Sequence, residues 1–272
     1  MSDRRRPPPR RRLASSLALA LLAAAGGAGD GQAEPLVAVY DAFWAGLPAA
    51  RIRLEFAEDG GRYRDAVAIG TLGLPRLVTR FRGTATAEGS LPPGRPPQPS
   101  RYDAVYDLRK RKNSRISMRF LAHGDATIAE RGPGDTSRKP QLGLAYRRDA
   151  VDPLSALERV RQALRAAVQS GARRFSIPVY DGARRFDVEG NVAARPQAGR
   201  QAIEVALTLR PIAGFRGQTS DDGDPDDAPR PARLTVSDDT RLLPLEVAVD
   251  VYNLPLLVRL DHLCTQLRSC AY

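Results

Sequence analysis

The stretch Arg51-Ile52-Arg53-Leu54-Glu55-Phe56 decides the fold class, because charged and apolar residues alternate through it without a break. Successive side chains of a strand point to opposite faces, so this rhythm marks a strand with one buried face. Glu58-Asp59-Gly60-Gly61 follows as a turn in which glycine is free to take positive φ. Arg62 to Leu72 then returns as the partner strand. Working outward, period-two strands recur at Leu77 to Glu88, Ser100 to Leu108, Arg115 to Leu121, Arg174 to Tyr180 and Arg184 to Val192. Others follow at Gln201 to Ile212, Arg233 to Ser237, Leu243 to Val251 and Leu256 to Leu260. These eleven strands show no regular βαβ alternation, which predicts antiparallel pairing. A sheet of that length removes its exposed edges by curling. Leu91 to Pro99 holds five prolines and reads as an extended surface loop outside the ladder.

One segment departs from the rhythm. Asp152 can cap a helix, Pro153 suits the first helical position, and Glu158 lies three residues after Ser155. Leu154, Leu157, Val160, Leu164 and Val168 then recur as one apolar stripe, which Gly171 ends. The spacing predicts an amphipathic helix over about 152–168, roughly four turns long. The expected fold is mostly β: a single large antiparallel curved sheet or (half-)barrel, with this helix packed against its concave face.

Residues 1–33 read as a cleaved export signal. Arg4 to Arg6 and Arg10 to Arg12 precede the apolar run Leu13 to Ala25, and Gly31-Gln32-Ala33 offers a small-x-small cleavage site. The run is too short for an ordinary membrane-spanning helix, which needs about 20 apolar residues. Cleavage after about Ala33 leaves 34–272 as a single β-rich periplasmic domain with no transmembrane segment, and lowers the net charge from +11 to +7. Export removes ATP, NAD and nucleic acid from the expected partners. Lysine occurs only at Lys110, Lys112 and Lys139, an arginine skew that points to a GC-rich genome more than to phosphate binding.

Cys264 and Cys270 are expected to form a disulfide, since nearby thiols in an oxidising compartment usually pair. On a regular helix they would lie about 9 Å apart along the axis. A bridge needs Cα atoms within roughly 7 Å, so bonding implies a turn in the tail.

Each candidate site has a plain structural explanation beside it. Asp221 to Asp227 is acidic, but an EF-hand counted from Asp222 would need glycine at Asp227 and glutamate at Arg233, so a solvated loop is expected. Arg109 to Lys112, with Arg115 and Arg119, reads as a solvated hairpin tip, or as a contact for anionic lipid or glycan phosphate. His123 and His262 have no metal-ligand spacing, and no Gly-x-Ser-x-Gly elbow exists. No catalytic residue, cofactor site or metal site is therefore assigned. Tyr40 and Trp44, at the start of the mature domain, are core or plug residues, or ligand-stacking ones. Tyr180, Asp181, Arg184 and Arg185 occupy a hairpin turn in which the arginines pair with Asp181 and Asp187, and they are also ligand or surface candidates.

Several stretches occur together in order: Tyr40 to Gly46, Asp152 to Leu157, Val179 to Asp187, Pro211 to Phe215, and Asp238 followed by Leu243-Pro244. Through them the chain resembles the exported proteobacterial proteins of domain-of-unknown-function family 3108, over nearly all of residues 36–260. The resemblance implies a periplasmic β-rich protein and no catalytic residues. It also implies a cysteine before each of two strand motifs, where this chain holds Arg174 and Ile203, so only the tail pair remains.

The functional expectation is a non-catalytic periplasmic protein that holds an apolar, lipid-like ligand or assists envelope assembly. The alternatives are a hydrolase of envelope glycan or lipid, and a partner-binding scaffold. The sequence carries no signal for an oligomeric state.

Overall fold

The computed structural model describes residues 35–264, apart from 74–75, 77–79, 109–110, 122–125, 132–140, 194–201, 216–227 and 252. The leader, the acidic run, His123 and Cys270 fall outside the described residues. Thirteen strands form one sheet: β1 (Leu36–Trp44), β2 (Leu47–Asp59), β3 (Arg62–Thr71), β4 (Phe81–Ser90), β5 (Gln98–Leu108), β6 (Arg111–Phe120), β7 (Ala126–Arg131), β8 (Arg174–Tyr180), β9 (Arg185–Val192), β10 (Ala202–Ala213), β11 (Arg230–Ser237), β12 (Pro244–Val251) and β13 (Leu254–Cys264). A single turn of helix, α1 (Leu144–Arg147), and the long helix α2 (Pro153–Ser170) lie between β7 and β8.

The strand order is β7-β6-β5-β4-β3-β2-β1-β13-β12-β11-β10-β9-β8. Two antiparallel meanders are thus joined in the middle by the first and last strands, with Val37 opposite Cys264 and Trp44 opposite Leu256. Within each meander, sequence-adjacent strands pair as hairpins. At Gly60-Gly61 both glycines have positive φ, which a side chain would disfavour.

The sheet is strongly curved and unclosed. Seven of its twelve ladders contain a register shift, and each such bulge bends its strand and increases local twist. As a result α2 touches β8, at one edge, and also β3 and β4 in the other half of the sheet. β7 and β8 remain the two edges. Val151, just before α2, shields β8: its N–H donates to the Pro178 carbonyl at 2.9 Å and its carbonyl accepts from Tyr180 N–H at 2.8 Å.

Asp152 caps α2 by accepting from Leu154 N–H (3.0 Å) and Ser155 N–H (2.8 Å), Pro153 begins it, and left-handed Gly171 ends it. Its apolar side fills two hydrophobic clusters. Ala156, Val160 and Leu164 pack with Ile177, Val188, Val205 and Val236, whereas Leu154 packs with Tyr63, Met118 and Tyr180. Leu157 is partly buried against the second cluster.

Several expectations need correction. The helix runs 18 residues, and Val168 is half exposed because the stripe leaves the sheet before the last turn. The third strand begins at Phe81, not Leu77. Pro99 joins the ladder opposite Gly89, at a bulge that tolerates a missing N–H donor, and Pro97 is fully buried, so the proline-rich stretch is no free loop. β1 and β7 are strands beyond the eleven expected.

Candidate functional site

α2 buries a polar line as well as its apolar stripe: Asp152, Ser155, Glu158 and Arg161 are all buried. At spacing three, successive members are neighbours on the helix surface, and the row winds gradually around it. Ser155 Oγ donates to Asp152 Oδ2 at 2.5 Å and lies 2.6 Å from the Tyr63 hydroxyl on β3. Glu158 and Arg161 form a buried ion pair. Arg161 also reaches Glu58 at 2.9 Å, donates twice to the Arg241 carbonyl, and places its guanidinium 4.9 Å from the centroid of the Phe56 ring.

Asp65, one pleat along β3 from Tyr63, is 1% exposed, and neither of its carboxylate oxygens has a hydrogen-bond partner among the described residues. Burial, and then the nearby Glu158, push its carboxyl up to about 9 against the lowering influence of Arg161. Glu158 is also pushed up by burial, with Arg161 pulling the other way. Asp152 rises to about 6 because desolvation outweighs its hydrogen bonds from Ser155 and Leu154. Of these buried carboxyls, Asp65 is the one raised far enough to hold its proton at neutral pH. Among the described residues, no three His, Cys, Asp or Glu side chains gather in a metal-binding group.

A groove of about 600 Å³ opens beside the start of α2. Its walls are Arg62 and Gly89 at the ends of β3 and β4, Gln98 to Ser100 on β5, Phe120 and Leu121 at the end of β6, and Asp149, Ala150 and Arg159 around the start of α2. Arg62, Ala150 and Arg159 stand next or nearly next in sequence to Tyr63, Asp152 and Glu158, so groove and buried network draw on the same segments while presenting different side chains. Arg159 Nε donates to the Pro97 carbonyl at 3.2 Å, and Gln162 reaches the Arg95 carbonyl at 2.6 Å, so the proline-rich stretch is laced onto α2.

The sequence-predicted candidates lie elsewhere. Tyr40 is buried in the sheet core and its hydroxyl has no hydrogen-bond partner among the described residues; burial raises its pKa against the pull of Arg161. Trp44 is half buried and donates from Nε1 to the Val251 carbonyl at 3.3 Å. Tyr180 is fully buried and donates to the Gly182 carbonyl. Asp181 accepts from the N–H groups of Ala183 and Arg184 and pairs with the Arg184 side chain at 3.0 Å, while Arg185 pairs with Asp187. Arg184 also lies 5.5 Å from the Phe215 ring, and both line a recess of about 130 Å³ with Phe186, Leu209, Pro211 and Arg230. Gly214 makes that meeting possible, since a Cβ there would strike Ala183. His262 is exposed beside Asp261.

A family model described as "Protein of unknown function (DUF3108)" matches residues 39–250. No curated protein matches the chain. A β-barrel-like protein of domain-of-unknown-function family 1849 from Brucella abortus has a similar solved structure, with a TM-score of 0.54 at 12% identity over 84% of this chain and 96% of that one. At that identity the likeness is one of fold. A protein from Parabacteroides distasonis described as a "putative lipoprotein" aligns at a TM-score of 0.30 and 10% identity, over 86% and 96% of the two chains. No helix among the described residues is long and apolar enough to cross a membrane.

Proposed function

The chain belongs to the DUF3108 family of proteins of unknown function, and from that premise we propose an exported, non-catalytic periplasmic protein that binds a lipid-like envelope ligand in the groove beside the start of α2. The carrying observation is the separation of chemistry from access. Among the described residues, the carboxyls with raised pKa, Asp65, Asp152 and Glu158, are buried, whereas the accessible groove mixes apolar, amide, hydroxyl and guanidinium groups with one carboxylate, Asp149, that lines it without belonging to the buried network. A hydrolase needs its acid or nucleophile within hydrogen-bond reach of substrate, and Ser155 is instead held by Asp152 and Tyr63 inside the fold. Sites that mix apolar walls with a few polar groups suit ligand retention.

Residues 1–33 act as the leader in this reading, and 34–272 as the secreted domain. N-terminal sequencing of protein recovered from the periplasm should begin near Glu34. Organic extraction of that protein, followed by mass spectrometry, should release a reproducible amphiphile. Protein that is retained in the cytoplasm, or is repeatedly empty on extraction, overturns the proposal.

A further inference from the structure

We infer that the groove beside the start of α2 recognises the phosphate of an anionic amphiphile, with Arg159 and Arg62 as its cationic contacts; this rests on the ligand-binding reading above. Many surface arginines of the sheet are neutralised locally, as in Arg51–Asp41, Arg210–Glu189, Arg241–Asp239 and Arg259–Glu246. Arg159 and Arg62 form no ion pair among the described residues, yet both face one groove. Arg159 is partly buried, so its charge is incompletely hydrated as well as unneutralised. Desolvation lowers its pKa, which Tyr63, Asp149 and Asp152 oppose. A guanidinium does not escape that cost by losing its proton. Its single hydrogen bond, from Nε to Pro97, leaves both terminal amino groups without a partner among the described residues. That fork geometry matches two oxygens of a phosphate.

The remaining lining limits the ligand further. Among the described residues, Asp149 is the only carboxylate on the groove wall, so two arginines against one aspartate leave an excess of one positive charge there. Gln98 and Ser100 stand beside the arginines as neutral hydrogen-bonding groups. Phe120 and Leu121 form an apolar side, with Leu121 58% exposed. Apolar surface next to a cationic fork fits a headgroup that continues into an acyl chain, and the volume of about 600 Å³ exceeds what a bare phosphate fills.

Co-sedimentation with vesicles of phosphatidylglycerol, with vesicles of phosphatidylcholine, and thermal unfolding in inorganic phosphate test the assignment. Wild-type protein should bind phosphatidylglycerol at least about tenfold more tightly than phosphatidylcholine. The Arg62→Gln, Arg159→Gln double variant should lose about tenfold on phosphatidylglycerol alone. Arg62→Gln, on the exposed rim, should fold normally by circular dichroism and show a smaller loss in the same direction. Equal binding of both vesicles by wild type and variants overturns the phosphate assignment while leaving the lipid-like reading intact. Stabilisation by inorganic phosphate that needs Arg62 and Arg159, without vesicle binding, overturns the amphiphile and the lipid-like reading together. Absence of binding to any of the three overturns both the site and the proposed function.

Discussion

The hydroxyls of Tyr63, on β3, and Ser155, on α2, lie 2.6 Å apart inside the protein, and through Ser155 the contact continues to the helix cap Asp152. Tyr63 is held there from the other side as well, because its ring occupies the space a Cβ would take at Gly89, its cross-strand neighbour. Helix start and sheet are thus fixed to each other by one tyrosine.

Tyr63→Phe should therefore destabilise the fold by about 1–2 kcal/mol, the cost of stranding a buried hydroxyl partner. Ser155→Ala should cost a similar amount, plus the loss of the hydrogen bond to Asp152. Urea denaturation of both single variants and the double variant would show a coupling energy near 1 kcal/mol. Strict additivity would mean the two hydroxyls do not interact.

Asp65 should govern alkaline stability. Its carboxyl is raised from 3.8 to about 9 in the folded protein, so the folded state binds this proton more tightly than the unfolded chain does. The resulting stability is fully present below pH 4 and is lost as pH rises through 9. Asp152, raised to about 6, contributes in the same direction but only in the lower part of that window. Between pH 6 and 9, Asp65→Asn should flatten the fall of unfolding free energy by up to about 1.4 kcal/mol per pH unit. Parallel wild-type and variant profiles over that range would contradict a protonated Asp65.

Leu164 and Val168 belong to the same periodic stripe but differ in environment. Leu164 is fully buried between α2 and the β8–β11 side of the sheet, while Val168 is half exposed. Leu164→Ala should cost about 2–5 kcal/mol by leaving a cavity, and Val168→Ala within about 0.5 kcal/mol. Equal effects in denaturant titrations would place the helix in a different rotation.

That contrast shows what the sequence carries. Alternation around Arg51–Phe56 and the Asp152-Pro153…Gly171 punctuation are local signals, and both elements formed where they predicted. β1 escaped because Val37, Ala38, Val39 and Tyr40 are all buried, so a central strand covered on both faces shows no alternation. β7 is a short edge strand with little pattern of its own. The polar line Asp152, Ser155, Glu158, Arg161 was present at spacing three, but only the wrapping of the sheet around α2 turns such a row into a buried network. The groove was least legible, since Arg62, Gln98, Phe120 and Arg159 come from distant segments and meet only through the curl.

The tail cysteines give a last prediction. Cys264 ends β13 opposite Val37 and packs against Val37 and Val39, so one half of the expected bridge is anchored in the middle of the sheet. Bonding to Cys270 would close a ring just beyond the strand and tie the tail to the junction of the two meanders. Protein from the periplasm should then resist alkylation at both thiols until reduced. Cys270→Ser should lower stability by about 2 kcal/mol, the entropy of a small ring. Because the strand itself is held by β1 and β12, the loss should appear as easier fraying of β13 in hydrogen exchange before it shows in global unfolding. Ready alkylation of both cysteines in the native, unreduced protein would rule the staple out.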